Sequence, residues 1–111
     1  MMEINVFQQS ADVAVVALSG RLDLLSAPDV KERLTQTAAG QRCCVVDLGD
    51  VSFVDSSGLG ALIAGLKAAR VQGGDLRIAR PPDQTRMILE LTTLDKVLRP
   101  YATVEEAIAD R

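Results

Sequence analysis

The sequence contains no histidine and no tryptophan, aromatic residues make up only 3% of it, and its two cysteines are neighbours, Cys43 and Cys44. Without histidine, Ser-His-Asp and Cys-His catalysis and His-ligated zinc sites are excluded. Adjacent cysteines in a strand point to opposite faces, so they form no disulfide framework and read as small hydrophobes of a core, in keeping with a reducing compartment. No apolar run approaches the roughly 18 residues of a membrane span. The opening Met1-Met2-Glu3-Ile4-Asn5 has neither a basic stretch nor an apolar leader, so a soluble, cytoplasmic protein without membrane insertion is expected. Basic runs are missing too. With 12 Lys and Arg against 15 Asp and Glu, a net charge of −3 argues against a surface that tracks nucleic-acid phosphates.

What is present suits one domain spanning 1–111. A chain of 111 residues, 48% of them hydrophobic, can bury roughly two-thirds of its extended surface around a single core without disulfide or metal staples. Ile4–Gln8 alternates weakly as a first strand, and apolar Val13–Leu18 reads as the second. Ser26-Ala27-Pro28-Asp29 has the residues of a helix start, with Ser26 as cap, Pro28 in the first turn and Asp29 in the capping-box position. Val30, Leu34 and Ala38 then form the stripe of that helix, and Gly40 ends it. Cys43–Leu48 is a continuous apolar run of the kind buried on both faces, which predicts the central strand. Gly49–Val54 reads as a linking turn. The next helix has its apolar face at Leu59, Leu62, Ile63, Leu66 and Ala69 and stops at Gly73-Gly74. Asp75–Ala79 is a further strand. Pro81-Pro82-Asp83 opens a third helix facing inward through Met87, Ile88 and Leu91, Val97-Leu98 is a last short strand, and Thr103-Val104-Glu105-Glu106 caps a closing helix. Strands alternating with helices in the order ββαβαβα(β)α define an α/β domain. Its sheet is expected to be mixed but mostly parallel, with four to five strands, about four helices and the first strand antiparallel at one edge.

Chemistry concentrates in Val54-Asp55-Ser56-Ser57-Gly58-Leu59-Gly60, where two hydroxyls and a carboxylate open a helix just past the carboxyl end of the buried strand. Capping alone accounts for Asp and Ser at this place. It does not account for Gly58 and Gly60, each of which costs about 1 kcal/mol relative to Ala inside a helix, so something is expected to approach this backbone closely. No Gly-Lys-Ser/Thr phosphate loop is present, and Gly-x-Ser-x-Gly fails at Asp55. No histidine stands by as a base for either serine.

These residues resemble the signature of the anti-sigma-factor antagonists, whose fold is the STAS domain. Val45-Val46-Asp47-Leu48 together with Asp55-Ser56-Ser57-Gly58-Leu59-Gly60 carries the likeness. Leu18-Ser19-Gly20-Arg21-Leu22-Asp23, Gly73-Gly74-Asp75-Leu76, Leu94–Leu98 and Val104–Ala107 extend it over essentially the whole chain. The resemblance implies a non-enzymatic, phosphorylation-switched binding module with no cofactor. Its partners would be an anti-sigma factor with serine kinase activity and a PP2C-type phosphatase. Binding of the unmodified antagonist would release a sigma factor, and phosphorylation would end that binding. Carried over by position, Ser57 is the phosphoacceptor and Ser56 the runner-up, with Asp23, Asp55, Ser56, Gly58 and Leu59 around the acceptor on the docking surface. Arg21 departs from the acidic residue that some relatives carry before the Leu-Asp pair. Two other readings stay open on the residues alone: a STAS subunit of a larger signalling or lipid-transport assembly, and, more distantly, a small nucleotide-binding protein that uses the helix terminus at Gly58 and Gly60. Outside this segment and apart from the resemblance, Asp23 reads as a turn former, Asp47 as a carboxylate held by loop N–H groups, and Arg80, Arg86, Arg99 and Arg111 as scattered surface charge.

Overall fold

In the computed structural model, which describes residues 2–110, the first two strands pair antiparallel: β1 (Glu3–Gln8) lies along β2 (Val13–Leu22), with Ile4 opposite Leu18 and Phe7 opposite Val15. There follow α1 (Ala27–Ala38), β3 (Cys43–Val54), α2 (Ser56–Val71), β4 (Asp75–Ala79) and α3 (Asp83–Leu91). A 3-10 turn at Leu94–Lys96, β5 (Pro100–Tyr101) and α4 (Val104–Ala109) complete the chain. The strands lie in the order β1-β2-β3-β4-β5, with β2 to β5 mutually parallel and β3 at the centre.

That order dictates the layers. Parallel crossovers are right-handed, so three of them stepping the same way across a sheet must put their helices on the same face. The larger core lies there, joining even-numbered strand residues such as Val16, Leu18, Cys44, Val46, Leu76 and Ile78 to Val30 and Leu34 of α1, Leu62 and Leu66 of α2 and Leu89 of α3. Among the described residues the opposite face is covered by α4 alone, where Ala107 packs over Val13, Val15, Cys43, Val45 and Ala79. Cys43 and Cys44 thus enter different cores, as strand alternation requires. Burial pushes both thiols up, Cys44 to about 12, which keeps them protonated and unreactive. One buried arginine helps to hold α4 in place: Arg77 is 7% exposed, donates to the carbonyls of Ala107 and Asp110, and pairs with Asp75 at 3.1 Å. The last turn of a six-residue helix, whose carbonyls lack partners of their own, is closed from the sheet.

Several expectations are corrected. Gly49–Val54 is no turn, because β3 continues through it, and β2 likewise runs on to Leu22. The register slips between Ala17 and Ser19, opposite Leu48-Gly49, and again between Gly20 and Arg21, opposite Ser52, and the two slips turn Val51 and then Val54 back into the core. Ser26 stands before α1, and its carbonyl accepts the Val30 N–H at 3.1 Å, but its side chain does not cap the helix: the hydroxyl donates to the Arg21 carbonyl at 2.8 Å and accepts from the Asp23 N–H at 3.0 Å. Val97-Leu98 is not a strand. The chain first makes its 3-10 turn, Leu98 plugs the core, and the edge pairing falls to Pro100-Tyr101, where a missing N–H is tolerated.

Helix faces differ from the expected ones where packing partners decide them. In α2, Leu62, Leu66 and Ala69 are buried as expected, but Leu59 and Ile63 are only half-buried, and Ala61 and Gly65 take their places. At Gly65 a Cβ would stand 3.0 Å from both Leu34 and Leu76, so the small residue lets α2 lie close to α1 and β4 at once. In α3 the expected face is inverted. Met87 and Leu91 are 59% and 78% exposed and Ile88 is exposed as well, while Thr85 and Leu89 point inward.

Candidate functional site

Leu22 and Val54 are register partners at the ends of β2 and β3, so the next residues, Asp23 and Asp55, leave the sheet side by side. Asp55 caps α2 from an extended conformation, one carboxylate oxygen accepting from the Gly58 N–H at 2.9 Å. Its other oxygen accepts from the Leu24 N–H at 3.1 Å. The residue is therefore a clasp between the β2–α1 loop and the first turn of α2. Asp55→Ala removes both bonds and is expected to cost about 1–2 kcal/mol of stability, read from urea unfolding, with faster amide exchange at Leu24 and Gly58. Asp55→Asn, which can still cap, should recover most of it.

Asp23 is held just as closely by its own loop. One oxygen accepts from the N–H groups of Leu25 at 3.1 Å and Ser26 at 3.3 Å, and Arg21 lies 3.5 Å from the other. Partial burial raises its pKa, but the bonds from Ser26, Leu25 and Arg21 together hold the carboxyl below its ordinary value. The departure at Arg21 has a local partner besides Asp23: its guanidinium sits 4.3 Å above the ring of Phe53.

Ser56 and Ser57 occupy the first turn of α2, and among the described residues neither hydroxyl has a hydrogen-bond partner. They face different ways. Ser56 lines a pocket of about 250 Å³ with Phe53, Leu59, Thr85 and Ile88, toward α3. Ser57 lines a groove of about 330 Å³ on the other side, against Leu24, Pro28, Lys31 and Gly60. The close approach expected at the glycines is internal at one and open at the other. A Cβ on Gly58 would lie 2.3 Å from the Leu22 carbonyl oxygen, whereas Gly60 has nothing within 4 Å.

The residues gathered around this turn are thus Asp23, Asp55, Ser56, Ser57, Gly58 and Leu59, with Leu24 and Lys31 as additions that sequence reasoning missed, while Leu25, next on the loop, borders a separate pocket with Met2, Ile4 and Arg21. Leu24 and Leu25 are 70% and 87% exposed, two leucines standing in solvent on the loop clasped by Asp55. The signal was an apolar pair placed between the turn former Asp23 and Ser26. Asp47 lies apart. It accepts from the Gly49 N–H at 3.0 Å, as the loop-holding reading had it, and it also pairs bidentately with Arg80 at 2.9 and 2.7 Å, which takes Arg80 out of the set of scattered cations. No helix among the described residues is long and apolar enough to cross a membrane.

One clasped loop and an open serine turn thus stand together at the end of a five-stranded sheet, on a domain of STAS fold. The chain belongs to the STAS domain family, whose model matches residues 6–107. It is 31% identical to the anti-sigma-B factor antagonist of Bacillus subtilis (strain 168) over 108 residues, which span 96% of this chain and 99% of the relative. Among solved structures, an anti-sigma factor antagonist from Mycobacterium paratuberculosis superimposes with a TM-score of 0.85 at 28% identity, covering 97% of this chain and 92% of that one. The Bacillus cell fate determinant SpoIIAA in its phosphorylated form shares the fold, with a TM-score of 0.75 at 20% identity over 96% of each chain.

Proposed function

We propose that the protein is an anti-sigma-factor antagonist that binds an anti-sigma factor through the surface around the first turn of α2 and is switched off by phosphorylation of Ser57. The observation that carries the reading is the free hydroxyl of Ser57, held in a groove against the exposed Leu24 at the mouth of a clasped loop. It is supported by full-length similarity to a relative of that name. Leu24 and Leu25 supply apolar anchors of the kind that dominate binding energy, and Asp23 and Asp55 hold the loop that presents them.

Phosphate on Ser57 is compatible with the fold. A helix N-terminus favours negative charge, Lys31 lines the same groove, and the phosphorylated fold neighbour retains this architecture. The partner is an anti-sigma factor with serine kinase activity, and a PP2C-type phosphatase restores the binding form. The protein itself acts as a binding module: Asp55, the carboxylate beside the two serines, has both oxygens engaged by the N–H groups of Gly58 and Leu24 rather than by a serine hydroxyl. The test is intact-mass spectrometry with peptide mapping after incubation with ATP and the candidate kinase, comparing wild type, Ser57→Ala and Ser56→Ala. One phosphate, absent only from Ser57→Ala, is the expected result. No phosphate on any of the three, from a kinase active on another substrate, would overturn the switch and favour a constitutive subunit of a larger assembly.

A further inference from the structure

A second surface lies at the other end of α2. Ile63, Leu66, Leu94 and Val97 floor an open groove of about 670 Å³ between the helix and the 3-10 turn, and Val71 stands at its mouth, 89% exposed. Its cations are Lys67 and Arg70. Arg70 is engaged with the Val97 carbonyl at 3.2 Å and Asp75 at 3.6 Å, whereas Lys67 is exposed and takes part in no ion pair among the described residues. α2 carries these two cations and no acidic residue, in a chain whose net charge is −3.

We propose that this groove is a docking site for an amphipathic acidic segment of a partner protein, one that lays apolar side chains along the floor and sets a carboxylate against Lys67. Charge complementarity selects that occupant. A second copy of this chain docked face to face would bring Lys67 and Arg70 against their own counterparts. An anionic membrane is served by clusters of four or more cations on a surface that enters the headgroups, not by two beside a concave floor. Lys67 and Val71 lie ten and fourteen residues along the helix from Ser57, roughly 15–21 Å, beyond the Debye length at physiological salt. Occupancy here is therefore independent of the phosphorylation state of Ser57 and of the function proposed for it.

The experiment is selection of a random short-peptide display library on the whole protein, with the Lys67→Glu/Val71→Asp double variant as counter-selection. Both side chains are exposed, so the variant keeps the fold, as circular dichroism will verify. Selected peptides are expected to combine leucine, isoleucine or phenylalanine with two or more acidic residues. They should lose about tenfold in affinity on Lys67→Glu alone, recover when their acidic residues are changed to lysine, and move by less than about twofold when Ser57 is phosphorylated. Absence of any enriched peptide, or enrichment without acidic residues, would overturn the proposal. So would wild-type binding to phosphatidylglycerol-rich vesicles that Val71→Asp abolishes, which reassigns the face to a membrane, or a dimer in sedimentation equilibrium that Val71→Asp dissociates, which reassigns it to a second copy.

Discussion

Phosphorylated protein is expected to bind the anti-sigma factor roughly thirty- to several-thousand-fold more weakly than the unmodified form, measured by calorimetry or fluorescence anisotropy, while Ser57→Ala binds like the unmodified wild type. The magnitude follows from where the charge goes. A phosphate brings about −1.5 to −2 charges to a groove whose one cation is Lys31, beside a loop held by the carboxylates of Asp23 and Asp55. In the free protein water screens that charge and the start of α2 favours it, so the thermal midpoint should move by only a few degrees. In the complex the groove is closed by the partner, and a phosphate of nearly two charges that Lys31 offsets only in part costs on the order of 2–5 kcal/mol to bury there. The same reasoning separates the two serines. Ser56 opens toward α3 and Ser57 toward Leu24, so Ser56→Asp should weaken binding less than Ser57→Asp. Equal losses at the two positions would mean that the interface covers both sides of the turn alike.

The parts of this site that were legible in the sequence are the ones decided by neighbours along the chain. A carboxylate three residues before a backbone N–H caps it whatever the rest of the fold does, and Asp55 does so for Gly58. Strand parity is equally local, which is why Cys43 and Cys44 could be sent to opposite cores. The misreadings share a different cause. Gly49-Asp50 has the composition of a turn, yet pairing with β2 on one side keeps it in a strand, and it is this extension that carries Asp55 out beside Asp23. Met87, Ile88 and Leu91 have the spacing of a buried face, but a nine-residue helix takes its inward side from what it rests on, here Thr85 and Leu89. Ser26 has the chemistry of a cap and is turned instead to the Arg21 carbonyl and the Asp23 N–H, tying its own loop together. In each case a tertiary partner outweighs a propensity of about 1 kcal/mol or less.

Gly58 and Gly60 put that principle to a quantitative test, because identical substitutions two residues apart are expected to move stability in opposite directions. By helix propensity alone, Ala at either site stabilises by about 1 kcal/mol. At Gly58 the added methyl would lie 2.3 Å from the Leu22 carbonyl oxygen and 2.7 Å from Leu22 Cγ. That oxygen cannot retreat freely, since it accepts the Asp55 N–H at 3.1 Å, and Leu22 is fully buried. The first turn of α2 must therefore move away from β2, against the Asp55 clasp. Overpacking of this kind costs about 1–3 kcal/mol or more and removes the propensity gain. Gly58→Ala is expected to lower stability by about 2 kcal/mol net and the thermal midpoint by roughly 8–15 °C. At Gly60 the methyl meets open space, so Gly60→Ala should raise the midpoint by a few degrees. Gly60 nevertheless lines the groove of Ser57, so the same methyl projects into the surface proposed to receive the anti-sigma factor. A variant that is more stable yet binds more weakly would place the partner's backbone against this turn. If Gly60→Ala binds as tightly as wild type, the contact must be centred on Leu24 and Leu25 instead, and the glycine has no part in recognition.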